Sequence, residues 1–209
     1  MFQDRIDAGK KLAQALSGYR DKPVVVYALP RGGVVLGAEV AHSLSAPLDL
    51  VVVRKVGHPL QPEYAIGAVA EGGNVIRNRS EAATWDTRAF DNAAEVALSE
   101  AKRQRKLFLD DRDPVPVENK IAIIVDDGLA TGYTMLAAIE EIRKRHPQKV
   151  VVAVPVAAPD IAENIRAQAD DLVVLHIPRL FVAVGAFYDR FDQVSDDDVI
   201  ALMKAAAVW

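Results

Sequence analysis

The stretch IIVDDGLATGYTM, Ile123 to Met135, decides the fold. It continues an apolar run, IAIIV (121–125), and then breaks into two adjacent carboxylates, Asp126 and Asp127. A β-branched run without polar alternation reads as a strand buried on both faces. From about Gly132 onward, Met135, Leu136, Ile139 and Ile142 recur at helical spacing, so the stretch is strand, loop, helix. In open parallel sheets ligands bind at the carboxyl ends of strands. The loop holds two glycines, Gly128 and Gly132, and two hydroxyls, Thr131 and Thr134. It opens a helix, whose free N–H groups and positive dipole end favour a phosphate. The carboxylates repel a phosphate. They suit ligand hydroxyls, or a magnesium ion beside the phosphate.

Four further runs resemble IAIIV: VVVYAL (24–29), LVVV (50–53), VVVAVPV (150–156) and LVVLHI (172–177). Helical patterns lie at Val34 to Leu44, Tyr133 to Arg145 and Ala158 to Ala169, and an amphipathic helix is expected near the start, from Phe2, Ile6, Leu12, Ala13, Leu16 and Tyr19. Strand–helix alternation of this kind predicts an α/β protein with a doubly wound, mainly parallel, Rossmann-like sheet. AIGAVAEGGNVIR reads as a β-hairpin around Glu71 to Asn74. Residues 78–120, mostly helical, read as an insertion or cover within one domain, 1–209, and 178–209 as a closing element with a helix.

Composition narrows the function classes. The chain has 209 residues, 51% hydrophobic and 26% charged, enough for a full core. A formal net charge of −4 gives no bulk attraction for nucleic acid. With no cysteine, disulfides, thiolate nucleophiles and Cys-bound zinc are out. The start lacks the apolar core of a signal peptide and no stretch reaches membrane-spanning length, so a cytoplasmic protein without membrane contact is expected.

The loop can be compared with known phosphate motifs. The Gly-Lys-Ser/Thr of nucleoside-triphosphate loops is missing, as is the dinucleotide fingerprint. A receiver domain carries its acidic pair near the N-terminus and a further Asp at a later strand end, which VVVAVPV does not deliver. The bland alternative is a turn at Asp126-Asp127 with Thr131 capping the helix. The whole pattern VDDGLATGYT resembles the phosphoribosyl-pyrophosphate (PRPP) signature of the type I phosphoribosyltransferases. That resemblance implies the phosphoribosyltransferase fold and Mg2+ as cofactor. It assigns Ala130, Thr131, Gly132, Tyr133 and Thr134 to the 5′-phosphate. It assigns Asp126 and Asp127 to the ribose hydroxyls and, through water or those hydroxyls, to the metal. The 6-oxopurine enzymes carry an Asp where this chain has Ala130, a departure that counts against a hypoxanthine or guanine acceptor but not against PRPP.

Other segments extend the resemblance over nearly the whole chain. PRGG (30–33) reads on its own as a second anion loop, since missing Cβ atoms let backbone approach a ligand. In the family this is the pyrophosphate loop, assigned to Arg31, Gly32, Gly33 and Lys55, and it holds a strained cis non-proline peptide, expected here in the Arg31–Gly32 region. Arg54 and Lys55 are expected at the same sheet edge, stabilising the leaving pyrophosphate with Arg31. The pattern RKxGxPxxPExAxGAV from Arg54 is similar to a bacterial subgroup of phosphoribosyltransferases with unassigned acceptor. In FVAVGAFYDRF, the resemblance places Phe181, Phe187, Tyr188 and Asp189 around an acceptor; ordinary core packing is the other reading. KRQRK (102–106) reads as a solvated helix face and SDDD (195–198) as a helix start. The implied partners are PRPP and a small-molecule acceptor, with a homodimer left open. A PRPP-sensing protein of the same fold without turnover is the competing class.

Overall fold

The computed structural model describes residues 1–58, 61–78, 87–110 and 112–207, with the side chains of 58 and 61–65 left aside. The chain begins with α1 (Arg5–Ala15), β1 (Val24–Ala28), α2 (Gly32–Leu44) and β2 (Leu48–Leu50). Next come β3 (Val53–His58), β4 (Gln61–Ala70), β5 (Val75–Arg77) and the long α3 (Thr87–Leu109). The last part runs β6 (Ile121–Val125), α4 (Tyr133–Arg143), β7 (Lys149–Val156), α5 (Pro159–Gln168), β8 (Asp171–His176) and α6 (Asp196–Ala206). Among the described residues, no helix is long and apolar enough to cross a membrane.

Five strands form a wholly parallel sheet in the order β2-β1-β6-β7-β8. Its central strands β1 and β6 are buried at every position, and alternate residues serve opposite faces. Val24, Val26, Ala28, Ile121, Ile123 and Val125 pack with α1, α2 and α6. Val25, Tyr27, Ala122 and Ile124 pack with α4 and α5. The chain leaves β1 toward β2 and leaves β6 toward β7, in opposite directions across the sheet. The loops after β1 and β6 therefore meet at the switch point where such sheets bind ligands.

A second, antiparallel sheet, β3-β4-β5, carries the expected hairpin. Its turn is closed by Gly73 N–H to Ala70 C=O at 2.8 Å, with Gly73 at φ 90°. Phe90, Ala94 and Ala97 of α3 cover this sheet against Val56, Ile66 and Val69. The first residues of the expected cover, 79–86, lie outside those described, as do Pro59 and Leu60 of the RKxGxP pattern.

One strand departs from expectation. LVVV does not run as one strand: β2 ends at Leu50 and β3 starts at Val53 in the other sheet. The cause is Glu71. Its carboxylate accepts the Val52 N–H at 2.9 Å and its own N–H donates to the Val52 carbonyl at 2.9 Å, which draws the chain out of the parallel sheet.

Glu71 belongs to a buried ionic network that sequence alone did not disclose. Arg105 of α3 donates to Glu71 Oε1 (2.9 Å), Asp49 Oδ1 (3.3 Å) and the Leu50 carbonyl (2.9 Å). Arg145 reaches Glu71 and Glu141. KRQRK is thus not wholly a solvated face, because Arg105 pins α3 to both sheets. SDDD does start a helix: Ser195 and Asp198 form a capping box for α6.

Candidate active site

The acidic pair sits where β6 ends. Asp126 Oδ1 accepts the Asp127 N–H at 2.8 Å. Asp127 Oδ2 accepts from Arg5 Nε at 2.9 Å. Among the described residues, Asp126 Oδ2 and Asp127 Oδ1 take part in no further hydrogen bond. Each carboxylate therefore has one oxygen tied down and one to offer, a match for two neighbouring hydroxyl donors. Both groups are partly buried. Burial, and next the adjacent Asp127 charge, push the Asp126 carboxyl well above the usual carboxylate range. Burial raises Asp127 as well, while the Arg5 guanidinium pulls it back.

The PRGG loop lies flush on this pair. A Cβ on Gly32 would come 2.0 Å from Asp127 Oδ2, and one on Gly33 would come 2.8 Å from the Val125 carbonyl and 3.0 Å from Asp126 Cα. Only glycine lets β1's loop come this close to β6's end. The Pro30–Arg31 peptide is cis, at the entry to the region singled out from the sequence. The Arg31 guanidinium reaches toward Asp196 at the start of α6, 3.5 Å away, rather than toward the acidic pair.

The 128–134 loop is anchored at its base. Leu129 donates to Val156 O (2.9 Å) and accepts from Ala158 N–H (3.0 Å), joining the loop to the segment ahead of α5. Gly132, at φ 77°, turns the chain into α4, where Ile161 would stand 2.9 Å from a Cβ. Leu136 N–H to Gly132 C=O (2.9 Å) is the bond that begins the helical ladder, so the amides of Thr131 and Thr134 precede it. Ala130 and Thr131 are exposed; Tyr133 and Thr134 are half-buried.

The two cations separate. Both lie inside β3 of the antiparallel sheet, where successive side chains point to opposite faces. The Lys55 charge acts on Asp126, whereas that of Arg54 acts on Glu100 of α3. Both side chains are exposed, and of the two it is the Lys55 charge that is felt at Asp126.

The C-terminal segment closes the site from the other side. Phe181 and Phe187 stack with centroids 5.7 Å apart. Tyr188 is buried, and its hydroxyl donates to the Asp127 carbonyl at 2.7 Å. Tyr188 thus braces the acidic pair from beneath, and burial keeps its hydroxyl protonated far above neutral pH. Asp189 is exposed, with its N–H on the Phe2 carbonyl at 2.8 Å. Val184 presses on Gly128, whose Cβ would meet it at 2.6 Å.

Residues 2–187 match the sequence profile of the Phosphoribosyl transferase domain. The chain belongs to the phosphoribosyl transferase domain family. It is 46% identical over 208 residues to proteins from two strains of Mycobacterium tuberculosis that carry the name phosphoribosyl transferase without experimental assignment. These alignments take in 99% of this chain and 47% of the relatives, so the chain spans about half their length. The crystal structure of TT1426 from Thermus thermophilus superposes with a TM-score of 0.82 at 40% identity, over 97% of each chain.

Within this family frame, a metal's fit can be judged from the donors present. Among the described residues no group of three or more His, Cys, Asp or Glu forms a ready metal cluster. Mg2+ takes one or two protein carboxylates and completes its shell with water and substrate phosphates, which the two available oxygens of Asp126 and Asp127 fit. Sequence reasoning missed Arg5. An Arg in the first turn of an amphipathic helix looks like any solvated cation, and 122 residues separate it from Asp127.

Proposed function

We propose that the chain binds PRPP with Mg2+ and transfers its phosphoribosyl group to the nitrogen of a small acceptor, releasing pyrophosphate. The observation that carries this reading is the acidic pair with one available oxygen on each carboxylate, set between two glycine loops at the β1/β6 switch point. Asp126 and Asp127 accept hydrogen bonds from the ribose hydroxyls. The amides and hydroxyls of 130–134 take the 5′-phosphate. Gly32 and Gly33 give the pyrophosphate access to backbone, with Lys55 as the nearby cation. Bound Mg2+ supplies charge neutralisation for the pyrophosphate.

The acceptor nitrogen forms a bond to ribose C1′ as the C1′–O bond breaks, and the pyrophosphate departs with that electron pair. A proton leaves the nitrogen to solvent or a base. Positive charge gathers on the sugar ring at the transition state, facing the two carboxylates, so electrostatics and positioning supply the rate. Phe181 and Phe187 stand as a stacking surface for a planar acceptor. This scheme treats 1–209 as one domain with 178–209 on the acceptor side.

The test is pyrophosphate release from PRPP and Mg2+ with a panel of nucleobases and small amines. Release with at least one acceptor is expected. PRPP binding without release across a broad panel would favour a sensor of the same fold, and no PRPP binding would overturn the reading.

A further inference from the structure

The acidic pair has a partner that the PRPP motif does not contain. Arg5 donates from Nε to Asp127 Oδ2 at 2.9 Å and from Nη1 to the Asp192 carbonyl at 2.6 Å. Its guanidinium lies 3.8 Å above the Phe191 ring. These contacts point in three directions and fix a side chain that is otherwise flexible. The side chains of Arg5 and Asp127 are 12% and 16% exposed, so water competes weakly for either.

The geometry of this ion pair is informative. A guanidinium meeting a carboxylate commonly forks onto both oxygens. Here Nε alone meets the carboxylate, with no Nη2 bond to Asp127 among the described residues, while Nη1 goes to Asp192, so Arg5 holds Oδ2 and leaves Oδ1. A forked pair would compete with a ligand for the carboxylate; this one orients it. Gly32 packs on the same spot, since its Cβ would stand 2.9 Å from Arg5 Nε. On the far side, Phe191 packs tilted against Tyr188 with centroids 4.9 Å apart, and Tyr188 holds the Asp127 carbonyl. Side chain and main chain of Asp127 are thus both gripped from the terminal segments.

We propose that Arg5 is a positioning residue for the ribose: it holds one oxygen of Asp127 so that the other faces the sugar hydroxyls, and it ties the acceptor-side segment 187–192 to that carboxylate. Arg5 acts through Asp127 and touches no reacting atom. The proposal rests on the PRPP reading above and names which ligands sense Arg5. Those with a ribose diol do; inorganic phosphate, held by the 130–134 loop, does not.

The experiment is calorimetric titration of Mg2+-PRPP and, separately, inorganic phosphate. It uses the unaltered protein, R5M, R5K, D127N and the R5M/D127N double variant, with thermal melts confirming folding. R5M is expected to weaken PRPP roughly ten- to a hundredfold, the scale of a lost charge-assisted bond and a misplaced group. Phosphate affinity is expected to stay within about twofold, since both losses fall on the diol alone. The double variant is expected to bind PRPP no more weakly than D127N, the non-additivity of residues acting as a unit. R5K keeps the charge without the three-way geometry and is expected to be weakened too; it carries the comparison if R5M does not fold. Unchanged PRPP affinity in R5M or R5K, equal losses for phosphate, or losses that multiply in the double variant would overturn the proposal. Failure of the unaltered protein to bind PRPP would overturn the functional reading itself, and is read from a different sample.

Discussion

Gly32 and Gly33 are neighbours with the same missing atom, yet alanine at each is expected to fail differently. A Cβ at Gly32 would lie 2.0 Å from Asp127 Oδ2, 2.8 Å from its Cγ and 2.9 Å from Arg5 Nε, all side-chain ends. Comfortable contact needs roughly 3.5 Å, so the carboxylate must retreat by about 1.5 Å. That stretches the 2.9 Å bond to Arg5 past hydrogen-bond range and takes Asp127 off its ligand. One charge-assisted bond is worth about 1.5–3 kcal/mol, so Gly32→Ala is expected to weaken PRPP roughly ten- to a hundredfold. Stability changes less, because side-chain tips can swing. A Cβ at Gly33 instead strikes backbone, the Val125 carbonyl and Asp126 Cα, at the end of a central strand. Overpacking there costs about 1–3 kcal/mol of stability, roughly 2–12 °C in a chain of this size. Thermal unfolding beside PRPP calorimetry separates the two. Normal PRPP affinity in Gly32→Ala would refute the claim that the placement of Asp127 governs ligand binding.

Other expectations concern charge. Asp127→Asn is expected to weaken PRPP roughly ten- to a hundredfold and leave free phosphate unaffected; equal losses would show that sugar and phosphate roles are misassigned. Arg105→Met removes one cation from each of the buried Asp49 and Glu71 and leaves them Arg112 and Arg145, so denaturant melts are expected to show a loss of about 1.5–3 kcal/mol; a loss below about 0.5 kcal/mol would mean Arg105 is not structural. Asp126 has a raised carboxyl, so the folded state holds its proton longer than the unfolded chain and loses stability as pH climbs from about 4 through the folded value. Asp126→Asn removes that penalty, giving a higher Tm at pH 7 and no advantage below about pH 4; a gain that persists unchanged at pH 3 would contradict burial as the cause.

The parts of the fold visible in the sequence are those whose physics is local. Buried strands such as IAIIV announce themselves by β-branched runs, and the Ser195 cap and the hairpin at Glu71 to Asn74 by short turn and cap chemistry. The acid-and-glycine loop was legible because its residues are consecutive. What stayed hidden depends on contacts far apart in the chain. Glu71 captures the Val52 amide and splits LVVV between two sheets, which puts Arg54 and Lys55 in the antiparallel sheet. Arg105 looked solvated until the fold put Asp49 and Glu71 beneath it. Tyr188 read either as an acceptor contact or as core packing, and its bond to the Asp127 carbonyl, 61 residues away, was not visible in the sequence.

The most direct test of the central claim is titration of the unaltered protein with PRPP in the presence and absence of Mg2+. The expected result is saturable binding at one site per chain, stronger with Mg2+ and abolished when Asp126 and Asp127 are both changed to Asn. No heat and no thermal shift at roughly millimolar PRPP, or binding indifferent to both carboxylates, would contradict it.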